Sequence, residues 1–140
     1  MADYFTNFSL IVPLPNEDAQ KYALELASSA KSAQLDDEPP SNLPALIGEM
    51  REDWHFDTDA EQSSGKWGIW IHSQFGGMDA LCAFLQYLLQ KFDPQGRVSF
   101  EWSNDCSKPL VDAFGGGAAI ITAREIKTMS TWGWLQENAA

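Results

Sequence analysis

Histidine, cysteine and positive charge are all scarce in this sequence. Its 140 residues hold two His (His55, His72) and two Cys (Cys82, Cys106). A structural zinc centre takes four ligands at short, recognisable spacings, and no such set exists, so no metal site is expected. Two cysteines are also too few for the disulfide framework of a small secreted domain. No glycine-rich stretch carries the Gly-Lys-Ser/Thr ending of a phosphate loop, and no cofactor is expected. Nine Lys and Arg stand against twenty Asp and Glu, a net charge of −11. Nucleic-acid phosphates and anionic membranes are both bound through basic faces, so direct binding to either is not expected. The longest apolar stretch, Ala80 to Leu89, is too short to cross a bilayer and contains Gln86. Met-Ala-Asp-Tyr lacks both the basic start and the apolar run of a secretion signal, which points to a cytoplasmic setting with reduced thiols. No repeat, linker or composition break divides the chain, and residues 1–140 read as one domain.

What is abundant is aromatic: six Trp and eight Phe. Most belong in a core, because each buries a large apolar area. Residues 4–12 alternate, with Tyr4, Thr6, Phe8, Leu10 and Val12 on one face of a strand ended by Pro13 and Pro15. Asn16 then caps a helix with the stripe Ala19, Tyr22, Ala23, Leu26, Ala27, Ala30. Pro39, Pro40 and Pro44 mark a loop, followed by a short helix to Arg51. Residues 54–59 alternate again. Gln62-Ser63-Ser64-Gly65 reads as a turn, and residues 66–73 are the clearest strand, with Gly68, Trp70 and His72 facing away from Trp67, Ile69 and Ile71. After Gly76-Gly77 a helix runs to about Phe92. Strands are expected at 97–103, 118–122 and 126–129, an irregular loop over 104–117, and a last short helix capped by Thr131. The order β-α-β-β-α-β, with a β extension and a terminal helix, predicts an α+β, two-layer sandwich of ferredoxin-like or related split β-α-β topology.

The charge is concentrated. Residues 36–61 hold nine acids against Arg51 alone, a net of −8 in 26 residues; the other 114 carry eight bases and eleven acids. Such a run either keeps a loop solvated or meets a basic protein surface, since complementary fields steer association. The binding candidates are Asp36, Asp37, Glu52, Asp53, Asp57 and Asp59, joined by Trp70 and His72 on the second face of their strand. An exposed Trp can anchor a partner; alternatively Trp70 packs under the terminal helix with Trp132 or Trp134. Asp57 and Asp59 share a strand face, where carboxylates can do acid–base work or guard a sheet edge.

The segment Glu101-Trp102-Ser103-Asn104-Asp105-Cys106-Ser107-Lys108-Pro109 is the densest polar stretch. Lys108 beside Cys106 could favour a thiolate, but a nucleophile also needs a base, and His72 or His55 would have to converge on it. The weak catalytic candidates are therefore Cys106, Asp105 and Lys108, against a reading in which Asn104, Asp105 and Ser107 only satisfy a turn. Gly115–Gly117 reads either as an anion cradle or as a site of close backbone packing.

Residues 104–109 (Asn-Asp-Cys-Ser-Lys-Pro), 112–118 (Asp-Ala-Phe-Gly-Gly-Gly-Ala) and 129–135 (Met-Ser-Thr-Trp-Gly-Trp-Leu) resemble an uncharacterised family of small proteins associated with proteobacterial plasmids, integrative elements and prophages. The resemblance implies a genomic setting and no site residue. Small acidic proteins in such settings sometimes resemble inhibitors of host defence, including anti-CRISPR and anti-restriction proteins. The leading expectation is a non-catalytic binding protein for a basic protein partner. The alternatives are a small enzyme at the 104–117 loop and a structural homodimer that pairs through Trp70 and a free sheet face.

Overall fold

A computed structural model describes residues 2–63 and 65–139. These form six strands, four α-helices and one 3-10 turn. In order they are β1 (Tyr4–Leu14), α1 (Glu17–Ser32), α2 (Ala45–Glu49), the turn Arg51–Asp53, β2 (Asp57–Ser63), β3 (Lys66–Ser73), α3 (Met78–Phe92), β4 (Arg97–Cys106), β5 (Gly115–Thr122), β6 (Ile126–Ser130) and α4 (Thr131–Glu137). One antiparallel sheet has the order β2-β3-β1-β4-β5-β6. The first four positions are the ferredoxin-like split β-α-β arrangement; β5 and β6 extend it past β4.

Local chemistry accounts for the helices. Asn16 accepts from the Ala19 amide at 2.9 Å, and Glu17 and Asp18 complement the start of α1. Gly77 begins α3 at φ 94°, a conformation that favours glycine, and Asp53 reaches in from the preceding turn to accept from the Ala80 amide at 3.0 Å. Both long helices cover one face of the sheet. Phe8, Leu10, Val12, Ile69, Ile71, Val98, Phe100 and Ile121 meet Ala23, Leu26, Leu81, Leu85 and Leu88 there. The opposite face presents Ser9, Ile11, Pro13 and Trp70, all exposed.

Three expectations need correction. Trp54 and Phe56 are fully buried, but they precede β2, which runs from Asp57 to Ser63. The turn expected at Gln62–Gly65 does connect β2 to β3: Ser63 pairs with Lys66 and Gly65 has φ 73°, while Ser64 lies outside the described residues. Residues 104–117 are not a loop. β4 continues to Cys106, paired with β1 through Tyr4↔Cys106 and Thr6↔Asn104, and β5 begins at Gly115, leaving 107–114 as the connection. Trp70 does not pack under the terminal helix. It lies on the open face of β3, with β1 and β4 between it and β5, against which α4 packs.

Candidate functional site

The pairing of β1 with β4 brings the start of the chain beside the polar stretch that ends β4. Thr6 Oγ1 donates to Asn104 Oδ1 at 2.8 Å, and the Asp3 amide donates to Ser107 Oγ at 2.8 Å. β5 returns through three glycines. A Cβ at Gly117 would overlap the Met129 carbonyl and the Trp102 indole; one at Gly115 would sit 2.9 Å from Thr131 Oγ1. The glycines therefore let Trp102 and the start of α4 lie directly on the strand, which is the close packing considered for this run. The Ser130 side chain caps α4 by accepting from Gly133 at 3.0 Å, and Thr131 Oγ1 accepts from the Gly116 amide at 3.1 Å. The cap is thus one residue earlier than expected, and Thr131 pins the helix to β5.

These contacts frame an open cleft of about 420 Å³ between β1, the ends of β4 and β5, the 107–114 connection and α4. Its rim is apolar and mostly aromatic: Tyr4 is 64% exposed, Phe114 56%, Trp132 69% and Leu135 58%. Val111, 90% exposed, stands on the same connection. The charged residues lining the cleft are Asp105 and Asp112. Asp112 has φ 61°, left-handed backbone that Asp tolerates better than most residues. Exposed contiguous apolar surface of this kind marks interaction sites, and large aromatics are the side chains that carry binding energy there.

The catalytic candidates are not brought together. Asp105 lines the cleft; Cys106 and Lys108 lie on the same hairpin without lining it. His72 is registered with Ser9 and Cys106 with Tyr4, five residues apart on β1 and on opposite faces, or roughly 17 Å at about 3.4 Å per residue. His55 Nδ1 lies 3.0 Å from Gln34 Nε2. Burial, then the Asp79 carboxylate, pushes the Cys82 thiol up to about 11, consistent with a core cysteine. Among the described residues no group of three His, Cys, Asp or Glu could hold a metal ion.

The acidic candidates divide. Asp36, Asp37 and Glu52 are exposed. Asp53 caps α3, Asp57 pairs with Lys31 of α1, and Asp59 Oδ2 lies 2.9 Å from His72 Nε2. Arg51, only 7% exposed, donates to the Gly48 and Asp36 carbonyls at 2.7 Å each and so ties the acidic loop down. Trp70 stacks on His72 with ring centroids 3.8 Å apart and donates to Ser9 Oγ at 2.8 Å. No described helix is long and apolar enough to cross a membrane.

No family model, curated protein or solved structure matches the chain. Tyr4, Phe5 and Thr6 escaped sequence reasoning as site residues, because only the β1–β4 pairing takes them to the cleft. For α4 the available signal is its density of large apolar side chains, Trp132, Trp134 and Leu135 within seven residues.

Proposed function

We propose that this chain is a non-catalytic protein-binding module. It holds an apolar side chain of its partner in the cleft bounded by Tyr4, Phe114, Trp132 and Leu135. The carrying observation is the rim itself: four large apolar side chains, each more than half exposed, around one cavity. The partner segment is basic beside its apolar anchor, because the cleft lining holds Asp105 and Asp112 without a base and the chain carries −11. Asp36, Asp37 and Glu52 act at longer range by steering a basic surface inward. In its finer form the partner is a nucleic-acid-binding protein of a host defence system, whose basic groove the acidic residues would compete for.

The test is affinity capture followed by calorimetry with the captured partner, using wild type, Trp132→Ala and Asp112→Gly. Glycine suits the positive φ of residue 112, so that variant removes a cleft carboxylate without straining the fold. Trp132→Ala should weaken binding by about thirtyfold, the loss typical of an interface hot spot of roughly 2 kcal/mol. Unchanged affinity in both variants contradicts the cleft reading.

A further inference from the structure

The sheet ends differently at its two edges. β2 carries Asp57, Asp59 and Glu61 on its open face, and charge on an edge strand discourages pairing with another chain. β6 presents Ile126, Lys127, Thr128 and Met129, all exposed and with one charge among them. The β5–β6 hairpin determines which backbone groups of β6 are committed. The Thr122 amide donates to the Glu125 carbonyl at 2.9 Å, and the alternation of an antiparallel ladder makes Ile120/Lys127 and Ala118/Met129 the next bonded pairs. The N–H and C=O groups of Ile126 and Thr128 therefore point away from β5. Among the described residues, no turn, cap or side-chain hydrogen bond ends on either.

We propose that a second copy of this chain pairs with β6 about a two-fold axis, β6 against β6 in antiparallel fashion, joining two six-stranded sheets. Ladder bonds need outward-facing residues opposite each other, which restricts the axis. At Lys127 two ammonium groups would oppose one another, which is unfavourable. At Ile126 half of the strand would lie against the turn. At Thr128 the whole strand is paired: Thr128 meets Thr128, Ile126 meets the partner's Ser130, and Lys127 meets the partner's Met129. Exposed Ile120 and Met129 extend the seam on the open face.

Charge favours a second copy at this edge and nowhere near β2. Residues 107–139 hold three bases and three acids. The acidic β2 edge is five strand spacings away, roughly 24 Å at about 4.8 Å each, and the screening length is about 8 Å in physiological salt. In the pair the two acidic edges stand eleven spacings apart, roughly 50 Å. Of β6 only Ser130 lines the cleft, whose other walls are Tyr4–Thr6, the 112–116 stretch and α4, so each copy keeps its own.

Sedimentation equilibrium on the intact chain tests this, because association shifts with concentration. At about 200 µM the expected mass is twice 15.6 kDa. Thr128→Pro should leave the mass of one copy with an unchanged circular dichroism spectrum, since it removes only an outward amide, and proline is tolerated on edge strands. Thr128→Cys, with Cys106→Ser to remove the other accessible thiol, should form a symmetric disulfide under mild oxidation. Directly opposed bonded residues sit about 5.5 Å apart at Cα, within disulfide range. A wild-type chain of single mass at about 200 µM, or a dimer that survives Thr128→Pro while Thr128→Cys fails to cross-link, overturns the proposal.

Discussion

Residues 36–61 and 107–139 are the two extremes of this molecule, and they treat aromatic side chains in opposite ways. The first carries a net charge of −8 and hides its aromatics. Trp54 and Phe56 are at most 1% exposed, with ring centroids 4.6 Å apart, and Trp54 meets Phe84 at 5.2 Å. The second carries no net charge and leaves Phe114, Trp132 and Trp134 outside. The difference follows from where each enters the sandwich. The 54–56 segment passes under the start of α3, where the layer between helices and sheet still has room. α4 comes after α1 and α3 have covered the sheet, and it settles on the β5–β6 margin. The composition of a segment tells how much apolar surface it has; position in the fold decides whether that surface stabilises the chain or faces a partner.

The sharpest way to break this comparison is to truncate one Trp from each region. Trp54→Ala should cost about 3–5 kcal/mol in denaturant unfolding, as for a large side chain lost from a core. Trp132→Ala should change stability by less than about 0.5 kcal/mol and show itself in binding alone. Comparable losses in both would erase the distinction. Next in size is Gly117→Ala. A methyl group there overlaps the Trp102 indole and the Met129 carbonyl, and overpacking of this kind costs about 1–3 kcal/mol; the same urea titration reads it. Within the acidic region, Asp53→Ala should lose about 1 kcal/mol as the capping acceptor of α3, whereas Asp36→Asn should be nearly neutral.

The effect confined to the narrowest conditions concerns Cys82, and it shows only at alkaline pH. Its thiol ionises near 9.0 when unfolded and near 11 when folded. The folded state holds the proton more tightly, so this contribution is intact below pH 9 and is lost as pH rises toward 11. Cys82→Ala should therefore flatten part of the alkaline decline in stability between those values. In labelling at pH 8, half-buried Cys106 should react in the native protein and Cys82 only on unfolding.

Both long helices, β1, β3 and the β-α-β-β-α-β succession of elements are legible because each carries a clean apolar period and a stop signal. β2 was displaced because an edge strand covered on one face only by the margin of α1 needs no apolar alternation: Thr58, Ala60 and Gln62 face the helices. The buried pair Trp54 and Phe56 just before it alternates more strongly than the strand does. The end of β4 looks like a loop in the sequence because Asn104, Asp105 and Cys106 are held by backbone pairing with Tyr4–Thr6, a contact across about a hundred residues. Gly115–Gly117 looks unlike a strand until Trp102 and Thr131 are seen lying on it. Of the cleft, only the 104–116 side lies in a stretch that the sequence singles out; α4 and the β1 side depend on strand order and on the packing of α4 against β5.

The most direct measurement is the association and dissociation kinetics of the captured partner at two salt concentrations, for Trp132→Ala and for Asp36→Asn/Asp37→Asn/Glu52→Gln. Anchoring at the cleft and steering by the acids should separate. Trp132→Ala should speed dissociation about tenfold or more at either salt, while the triple variant should slow association several-fold at low salt and lose that effect at moderate salt. A Trp132→Ala protein that dissociates at the wild-type rate would contradict the cleft as the place where the partner is held.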